Sequence, residues 1–552
     1  MATVGLAAAG LALWSVARRA APVPSGPGSG PSSPPSATSS QSPKPPYDAR
    51  RDRDMTAVPE AFAAYEEGLR LFDKLPIQAI QRFKKAVALD PAFAPAHYRL
   101  AMAAIVASRQ DEARSAIRSA ERNKERLPEP YSSALPVVGH FADGSFDLAM
   151  AAMGDALARQ PGDPDLHYMA GTISARVCDY FDPNSLIEHY ERVLAADPAY
   201  PGVREELLEG YEMKGMSEWL LSRAQSHEDR DGAVAEMGRA RIARGEYGDA
   251  MEAADEILRR GADVFASGLA PAFILTGHHD QLASMYDPEQ ERTNSSEANV
   301  LTHLHAGIND VWMGRWAKAV EHFERGPEFL PAPWDRSRRA RFMALLGRTQ
   351  LLMGRMREAE AAFESAQTVA GPQPVLEYLL GTVLLKAGNT AGAERVVHRL
   401  SMESRPSLPG WNEPWRLLMA AEVALAAGDT PRAMEAFRSA WQLEEPLALD
   451  CVMEHPEAYF LDGLGRGYLA ARRPQEALQS FERIRALGAR GIHQPEILVL
   501  AHYRAGLALE ALGRTDEAAA RYQQFLQLWG GIKPAPAEVV DTRRRVGGAG
   551  AR

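Results

Sequence analysis

The sequence predicts an all-α fold, an α-solenoid built of tandem helix-turn-helix units, and three observations lead to it. Ala, Leu, Glu and Arg, which favour helices, dominate the middle of the chain, whereas runs of β-branched residues are scarce. One spacing of small and large apolar residues recurs along most of the 552 residues, with glycines at fixed distances before it. With 46% hydrophobic and 24% charged residues, the chain is able to bury a long core.

The chain begins with an uncharged apolar run at residues 3–17, which ends at Arg18 and Arg19. We expect an apolar N-terminal helix over residues 1–20 that serves as a membrane anchor or a signal-like segment. The run is shorter than the ~20 residues that span a bilayer. Its charges follow it, whereas those of a signal peptide precede the apolar run. An ordinary apolar helix and the remainder of a longer transmembrane helix are the alternatives.

Residues 21–57 are rich in Pro, Ser and Gly, which is typical of a disordered linker. Anchor and linker together indicate a membrane-associated protein attached through residues 3–17. By the positive-inside rule, the basic pair after the run places the rest of the chain at the cytoplasmic face of the membrane. The cell envelope is the alternative side. A soluble cytoplasmic protein is the alternative.

The second half of each repeated unit has a small residue, a large apolar one four positions later and a small or apolar one three positions after that. These offsets place the three side chains on one face of a helix. Copies of this spacing include Ala79, Phe83 and Ala86; Ala113, Ile117 and Ala120; Ala359, Phe363 and Ala366; and Ala433, Phe437 and Ala440.

The first half of the unit is marked by two glycines, twelve and five positions before the small residue. We expect the second glycine to end the first helix with a positive φ, and the first to let the paired helix approach closely. Examples are Gly347 and Gly354 before Ala359, Gly381 and Gly388 before Ala393, and Gly506 and Gly513 before Ala518. Ala421 replaces the first glycine of one unit, and Arg472 replaces the second glycine of another.

These residues resemble the tetratricopeptide repeat, a helix-turn-helix unit of 34 residues. The step from Ala79 to Ala113 is 34 residues, and the step from Ala359 to Ala393 is the same. The resemblance implies a right-handed superhelix over residues 58–532. It divides into an N-terminal array at 58–264, a degenerate repeat or loop at 265–300, and a C-terminal array at 301–532, before a basic flexible tail at 533–552.

The opening of the array, residues 65–103, is also similar to repeat regions beside membrane-bound bacterial serine/threonine kinases and related regulators. No glycine-rich phosphate loop, HRD-like catalytic loop or DFG-like metal site occurs in the sequence. The similarity therefore implies, as an alternative function, a sensory or regulatory arm of a membrane-bound bacterial signalling system.

The sequence offers no coherent set of catalytic or metal-binding residues. Cys178 and Cys451 are far apart and in no metal or redox spacing, so we expect two buried thiols and no disulfide framework. The histidines at 278–279 and at 303 and 305 diverge around a helix, and no HExxH, paired CxxC, GxSxG or Walker motif occurs. We expect no metal, no cofactor and no enzymatic activity.

The net charge of −10 is concentrated in the body of the chain, because residues 1–53 and 533–552 are both basic. An acidic body repels phosphate backbones, so nucleic acid is not an expected partner of the array.

The resemblance implies that the first helix of each unit lines a concave groove in which a protein or peptide partner lies. Counting back from each small residue places seven basic and aromatic residues there: Arg341, Arg348, Tyr378, Trp415, Tyr459, Arg466 and Tyr503. Such residues are frequent binding hot spots, although packing between neighbouring helices would also account for the aromatic ones. We therefore predict a non-catalytic scaffold or adaptor that binds an acidic or mixed peptide.

The groove positions do not match the family's clamp for peptide C-termini. The first two units have Ala64, Gly68, Tyr98 and Met102 where its Asn and Lys would stand.

Overall fold

The computed structural model describes residues 52–72, 76–107, 109–198, 200, 203–225, 230–289, 296–330, 335–402, 411–444, 451–453 and 455–549. This part of the chain consists of 27 α-helices with short connections and no strand, so the all-α prediction is confirmed. The apolar run at 3–17 and most of the predicted linker lie outside the described residues. No helix in the described ranges is long and apolar enough to cross a membrane.

Two compact units divide the chain, and each is described by itself. Unit 1 contains described residues 52–170 with 192–198 and 200, and unit 2 contains 171–191 with the described residues from 203 to 549. The division differs from the predicted boundary at residues 265–300.

Unit 1 contains six whole helices and parts of two more. They are α1 (Pro59–Phe72), α2 (Pro76–Leu89), α3 (Ala94–Val106), α4 (Gln110–Arg122), α5 (Glu129–Ala142), α6 (Phe146–Arg159), and parts of α7 (Pro164–Arg176) and α8 (Pro183–Ala196).

Unit 2 continues with nineteen helices. They are α9 (Val203–Met213), α10 (Ser217–Gln225), α11 (Arg230–Arg244), α12 (Tyr247–Arg259), α13 (Ala270–Thr276), α14 (His279–Ser284), α15 (Ser296–Trp312), α16 (Trp316–Arg325), α17 (Arg336–Leu352), α18 (Met356–Ala370), α19 (Pro374–Lys386), α20 (Thr390–Met402), α21 (Glu413–Ala426), α22 (Thr430–Glu444), α23 (Glu457–Ala470), α24 (Pro474–Ala486), α25 (Pro495–Ala511), α26 (Thr515–Trp529) and α27 (Ala537–Ala549).

Each repeated unit is a pair of antiparallel helices whose small and large apolar residues meet in the core. In α18, Ala359, Phe363 and Ala366 are fully buried. Their offsets of four and three put them on one helical face, and that face packs against the helix before it. The same three positions in α2, Ala79, Phe83 and Ala86, are also fully buried.

The second glycine of the unit ends the first helix in the left-handed region. The φ angles are 75° at Gly354, 76° at Gly388 and 74° at Gly513, where a Cβ atom would be strained. Arg472 occupies the same place after α23 and has a φ of 54°. Among the described residues it is the one non-glycine residue with a positive φ.

Two sequence-based expectations are wrong. Cys178 and Cys451 are not separate thiols, because they form a disulfide with their Cα atoms 5.4 Å apart. Their separation of 273 residues gave no indication that the winding of unit 2 brings them together. The basic C-terminal tail contains α27, in which Val539 and Thr542 are fully buried.

Contacts between distant helices fill the interior of unit 2. The indole N–H of Trp529 donates to the carbonyl oxygen of Val311 at 3.2 Å, and the Trp316 ring meets the Trp529 ring at 5.3 Å. Elsewhere the backbone N–H of Ala489 donates to the Tyr247 hydroxyl at 3.2 Å. Helices α15 and α26, more than two hundred positions apart along the chain, therefore contact each other directly.

Candidate partner-binding groove

The seven residues predicted to face a groove lie on the first helices of five consecutive units. Helix α17 carries Arg341 and Arg348, α19 carries Tyr378, α21 carries Trp415, α23 carries Tyr459 and Arg466, and α25 carries Tyr503. These residues are called the groove cluster below.

Three aromatic side chains of the groove cluster contact one another. The Tyr378 ring lies 5.5 Å from the Trp415 ring and 5.6 Å from the Tyr459 ring, measured between centroids. Trp415 and Tyr459 are 6.2 Å apart by the same measure. All three are buried, at 4–6% exposure. These buried rings form one continuous aromatic group, with one ring from each of three successive repeats.

Arg348 is buried beside these aromatic rings, and a carboxylate of the same chain neutralises its charge. Its guanidinium donates to Glu496 Oε1 at 2.8 Å and 2.6 Å and to the His493 carbonyl oxygen at 2.7 Å. The guanidinium carbon lies 5.6 Å from the centre of the Tyr459 ring. Burial opposes its charge, but Glu496 outweighs burial and raises the pKa of Arg348.

Arg466 is neutralised by two carboxylates. It donates to Glu422 Oε2 at 2.9 Å and to Asp462 Oδ2 at 2.8 Å. Burial alone would lower the pKa of Arg466, and the nearby Glu422 raises it well above its usual value. The Tyr378 hydroxyl donates to the same Glu422 at 3.3 Å, while burial raises the pKa of this phenol.

Sequence reasoning missed these acidic partners. The spacing predicts a basic and aromatic strip, whereas Glu422, Asp462 and Glu496 lie on the same set of first helices. They form ion pairs with Arg348 and Arg466. Glu422 follows Trp415 by seven positions, which is two helical turns on one face. That spacing was the signal in the sequence.

Arg341 contacts a short segment of the chain itself. Its Nε donates to the carbonyl oxygen of Val452 at 3.1 Å. Gln494 Nε2 donates to the next carbonyl oxygen, that of Met453, at 3.4 Å, and Arg348 Nη1 lies 3.5 Å from the Met453 sulfur. Residues 451–453, called the latch segment below, therefore lie against the groove cluster.

Tyr503 lies apart from the other members of the groove cluster. Its hydroxyl donates to Asp541 of α27 at 3.0 Å, and its ring is 5.6 Å from the Phe525 ring. Burial first, and then the hydrogen bond to Asp541, raise the pKa of Tyr503 to about 12. The side chain is half-buried.

Histidine side chains form hydrogen bonds among α14, α15 and α16. His303 Nδ1 and His322 Nδ1 are 3.1 Å apart, and His279 Nδ1 lies 2.8 Å from Asn309 Oδ1. Within the described residues, no three His, Cys, Asp or Glu side chains converge as metal ligands would.

Comparisons with known proteins match part of the chain to a family model and find similar solved structures. A family model described as tetratricopeptide repeat matches residues 500–530. A chain of the crystal structure of the APC/C hetero-tetramer Cut9-Hcn1 is 13% identical, with 90% of this chain and 98% of that chain covered and a TM-score of 0.31. A tetratricopeptide repeat protein from Parabacteroides merdae ATCC 43184 is 11% identical, with 55% and 97% covered and a TM-score of 0.29. No curated protein sequence matches.

The matched residues 500–530 fall on α25 and α26, the hairpin that contains Gly506 and Gly513. Earlier hairpins of both unit 1 and unit 2 also have a glycine of positive φ between their two helices. The chain therefore contains a match to the tetratricopeptide repeat at residues 500–530, within a row of helical hairpins.

Proposed function

We propose that this protein is a scaffold or adaptor that binds a segment of a protein partner against the first helices of unit 2, without catalysis. Helical repeat arrays present large surfaces for binding, and the fold brings with it no constellation for chemistry. The observation that carries the proposal is the contact with the latch segment. Arg341 and Gln494 donate to two consecutive backbone carbonyl oxygens of that segment. Hydrogen bonds to main-chain carbonyl oxygens bind a peptide segment whatever the charge of its side chains.

Photo-crosslinking in the full-length protein tests the proposal. The crosslinking amino acid p-benzoylphenylalanine replaces Tyr503, a half-buried member of the groove cluster. The matched control carries it at Arg395, an exposed position of the second helix α20. We expect one protein to be captured from native cells at position 503 and not at position 395. Capture of the same proteins at both positions, or of none at position 503, would refute the scaffold function.

The Cys178–Cys451 disulfide bears on where the protein works. Disulfides persist outside the reducing cytosol, so we propose the cell envelope side of a membrane, with attachment through residues 3–17. Cell fractionation, with protease treatment of intact cells or spheroplasts, tests on which side of the membrane the protein lies. Recovery of the full chain only inside spheroplasts, with both thiols free to alkylation, would contradict this location.

The rival function is the regulatory arm of a membrane-bound bacterial signalling system, such as one containing a serine/threonine kinase. The crosslinking experiment separates the scaffold function from this rival, because the rival requires the protein captured at position 503 to be a signalling enzyme.

A further inference from the structure

Three arginines on α17, α23 and α25 already hold carboxylates of the same chain. The ion pairs are Arg348 with Glu496, Arg466 with Glu422 and Asp462, and Arg504 with Asp462. Binding a partner's charge at one of these arginines would require an existing, largely buried ion pair to separate, which is costly. A charged residue of a partner therefore needs a different site on these helices.

Lys386, the last residue of α19, is an exposed cation without such a carboxylate. Within the described part of the chain, its ammonium group forms no ion pair and no hydrogen bond. Burial by the surrounding protein nevertheless lowers the pKa of this ammonium group. The exposed residue therefore lies in a concave part of the surface. A cation that is partly deprived of water gains more from a counter-ion than one in open solvent.

Charged residues of three later helices border this concavity. Those that act on Lys386 are, strongest first, Glu538 on α27, Arg504 and Glu496 on α25, and Arg466 on α23. The last three belong to the ion pairs above, whereas Glu538 forms no ion pair within the described ranges. Glu538 also acts on the hydroxyl of Tyr503. The space bordered by Lys386, Tyr503 and Glu538 is called the recess below.

We propose that Lys386 binds the side-chain carboxylate of an Asp or Glu residue in the partner segment. This recognition rests on the proposed scaffold function and adds the chemical class of its partner. A carboxylate in the recess would pair with Lys386 as Glu496 pairs with Arg348, and partial exclusion of water strengthens such a pair. Glu538 repels a second carboxylate, so the partner segment carries one acidic residue at this place.

The recess is a different site from the one that the sequence predicts for an acidic or mixed peptide. Repeat spacing placed Tyr378 of α19 in the groove cluster and not Lys386. Because Arg348 and Arg466 have carboxylates of their own, Lys386 is the cation of the recess that is open to a partner. This difference becomes visible only when α19, α25 and α27 are brought together.

Selection from a library of random short peptides displayed on phage tests this recognition. The peptides are fused to the coat protein through their C-termini, so only side chains supply carboxylates. The targets are the full-length protein and its variant Lys386→Glu. We expect peptides enriched on the wild type to carry Asp or Glu at one fixed position, and peptides enriched on Lys386→Glu to carry Lys or Arg there. Enrichment of the same peptides on both proteins, or of none with an acidic position, would overturn the proposal.

Fluorescence anisotropy with an enriched peptide, synthesised with an amidated C-terminus, locates the contact. Lys386→Ala, and replacement of the acidic residue of the peptide by its amide, should each weaken binding by about tenfold. The two changes together should weaken it no further, because they remove the same ion pair. Arg395→Ala, at an exposed position of α20, is the matched control and should leave binding unchanged. Additive losses would show that Lys386 does not hold that carboxylate, and circular dichroism verifies that each variant is folded.

Crosslinking at position 503 separates this proposal from the scaffold function. Introducing Lys386→Glu into the crosslinking protein should abolish capture of the partner, because Lys386 and Tyr503 border the same recess. If the same partner is captured equally well by the variant, the scaffold function stands and the role of Lys386 is wrong. If neither protein captures a partner and the library yields no peptide, both proposals fail.

Discussion

The ring of Phe363 lies directly against Gly347, at a point where a Cβ atom on the glycine would be 2.6 Å from the ring carbon. Gly506 and Tyr522 repeat this relationship, with the corresponding distance 2.4 Å. Glycine inside a helix costs about 1 kcal/mol relative to alanine, and here it allows two helices to approach closely.

Gly347→Ala should therefore destabilise unit 2 despite its better helix propensity. Overpacking a core by one methyl group costs about 1–3 kcal/mol, and the gain in propensity offsets up to about 1 of it. Urea unfolding followed by circular dichroism measures the loss. Gly154→Ala is the control, since a Cβ there meets nothing within 4 Å, and it should be neutral or stabilising. Equal stability of Gly347→Ala and the wild type would contradict the close approach.

Arg472 should be a weak point of the α23–α24 turn. Its φ of 54° is in a region that costs a residue with a side chain about 1–2 kcal/mol relative to glycine. Arg472→Gly should stabilise the protein by about 1 kcal/mol after the greater freedom of glycine in the unfolded chain is subtracted. Gly428→Arg makes the reverse change at the equivalent turn one repeat earlier and should destabilise the protein. A loss of stability on Arg472→Gly would show that the side chain compensates for the strain.

The local geometry of the repeats was predictable from the sequence because it depends on residues close together along the chain. The contact of Gly347 with Phe363 spans 16 positions, and the glycine spacing also identified Arg472 as the residue in a glycine's place. Such spacings follow directly from helical periodicity.

The contacts of the groove cluster with distant parts of the chain were not predictable, because they depend on how tightly the repeats wind. The hydrogen bond from Arg341 to Val452 spans 111 positions, and the ion pair of Arg348 with Glu496 spans 148. Small rotations between successive units add up over such distances, and no local pattern records them. The seven residues of the groove cluster lie on first helices, as the repeat spacing predicts, but the spacing did not reveal their acidic partners or the latch segment.

Removing the Cys178–Cys451 disulfide should lower the free energy of unfolding substantially. The crosslink closes a loop of 273 residues, for which the chain-entropy model gives about 6 kcal/mol. Cys178→Ala/Cys451→Ala should lower the urea midpoint, and wild type unfolded after reduction should show a similar shift. Alkylation of the denatured, unreduced protein should find no free thiol, because the chain has two cysteines and both are bonded. Two reactive thiols in protein purified under oxidising conditions would rule out the bond.

Asp163 should make unit 1 less stable as the pH rises from about 4 to about 7. Burial, and then the neighbouring Asp165, raise the pKa of Asp163 to about 7, whereas an unfolded chain has a value near 4. Between these values the folded state holds a proton that the unfolded state has lost. Stability therefore falls with rising pH over this range and levels off above it.

Asp163→Asn should remove this dependence and raise the stability of the protein at pH 8 by a few kcal/mol. The amide oxygen can still accept the hydrogen bond from the backbone N–H of Leu166, which Asp163 Oδ1 accepts at 3.0 Å. Asp155→Asn, at an exposed position of α6, is the matched control and should leave the pH profile unchanged. Thermal unfolding at pH 5 and pH 8 measures both. If the wild type is equally stable at the two pH values, Asp163 is not protonated in the folded protein.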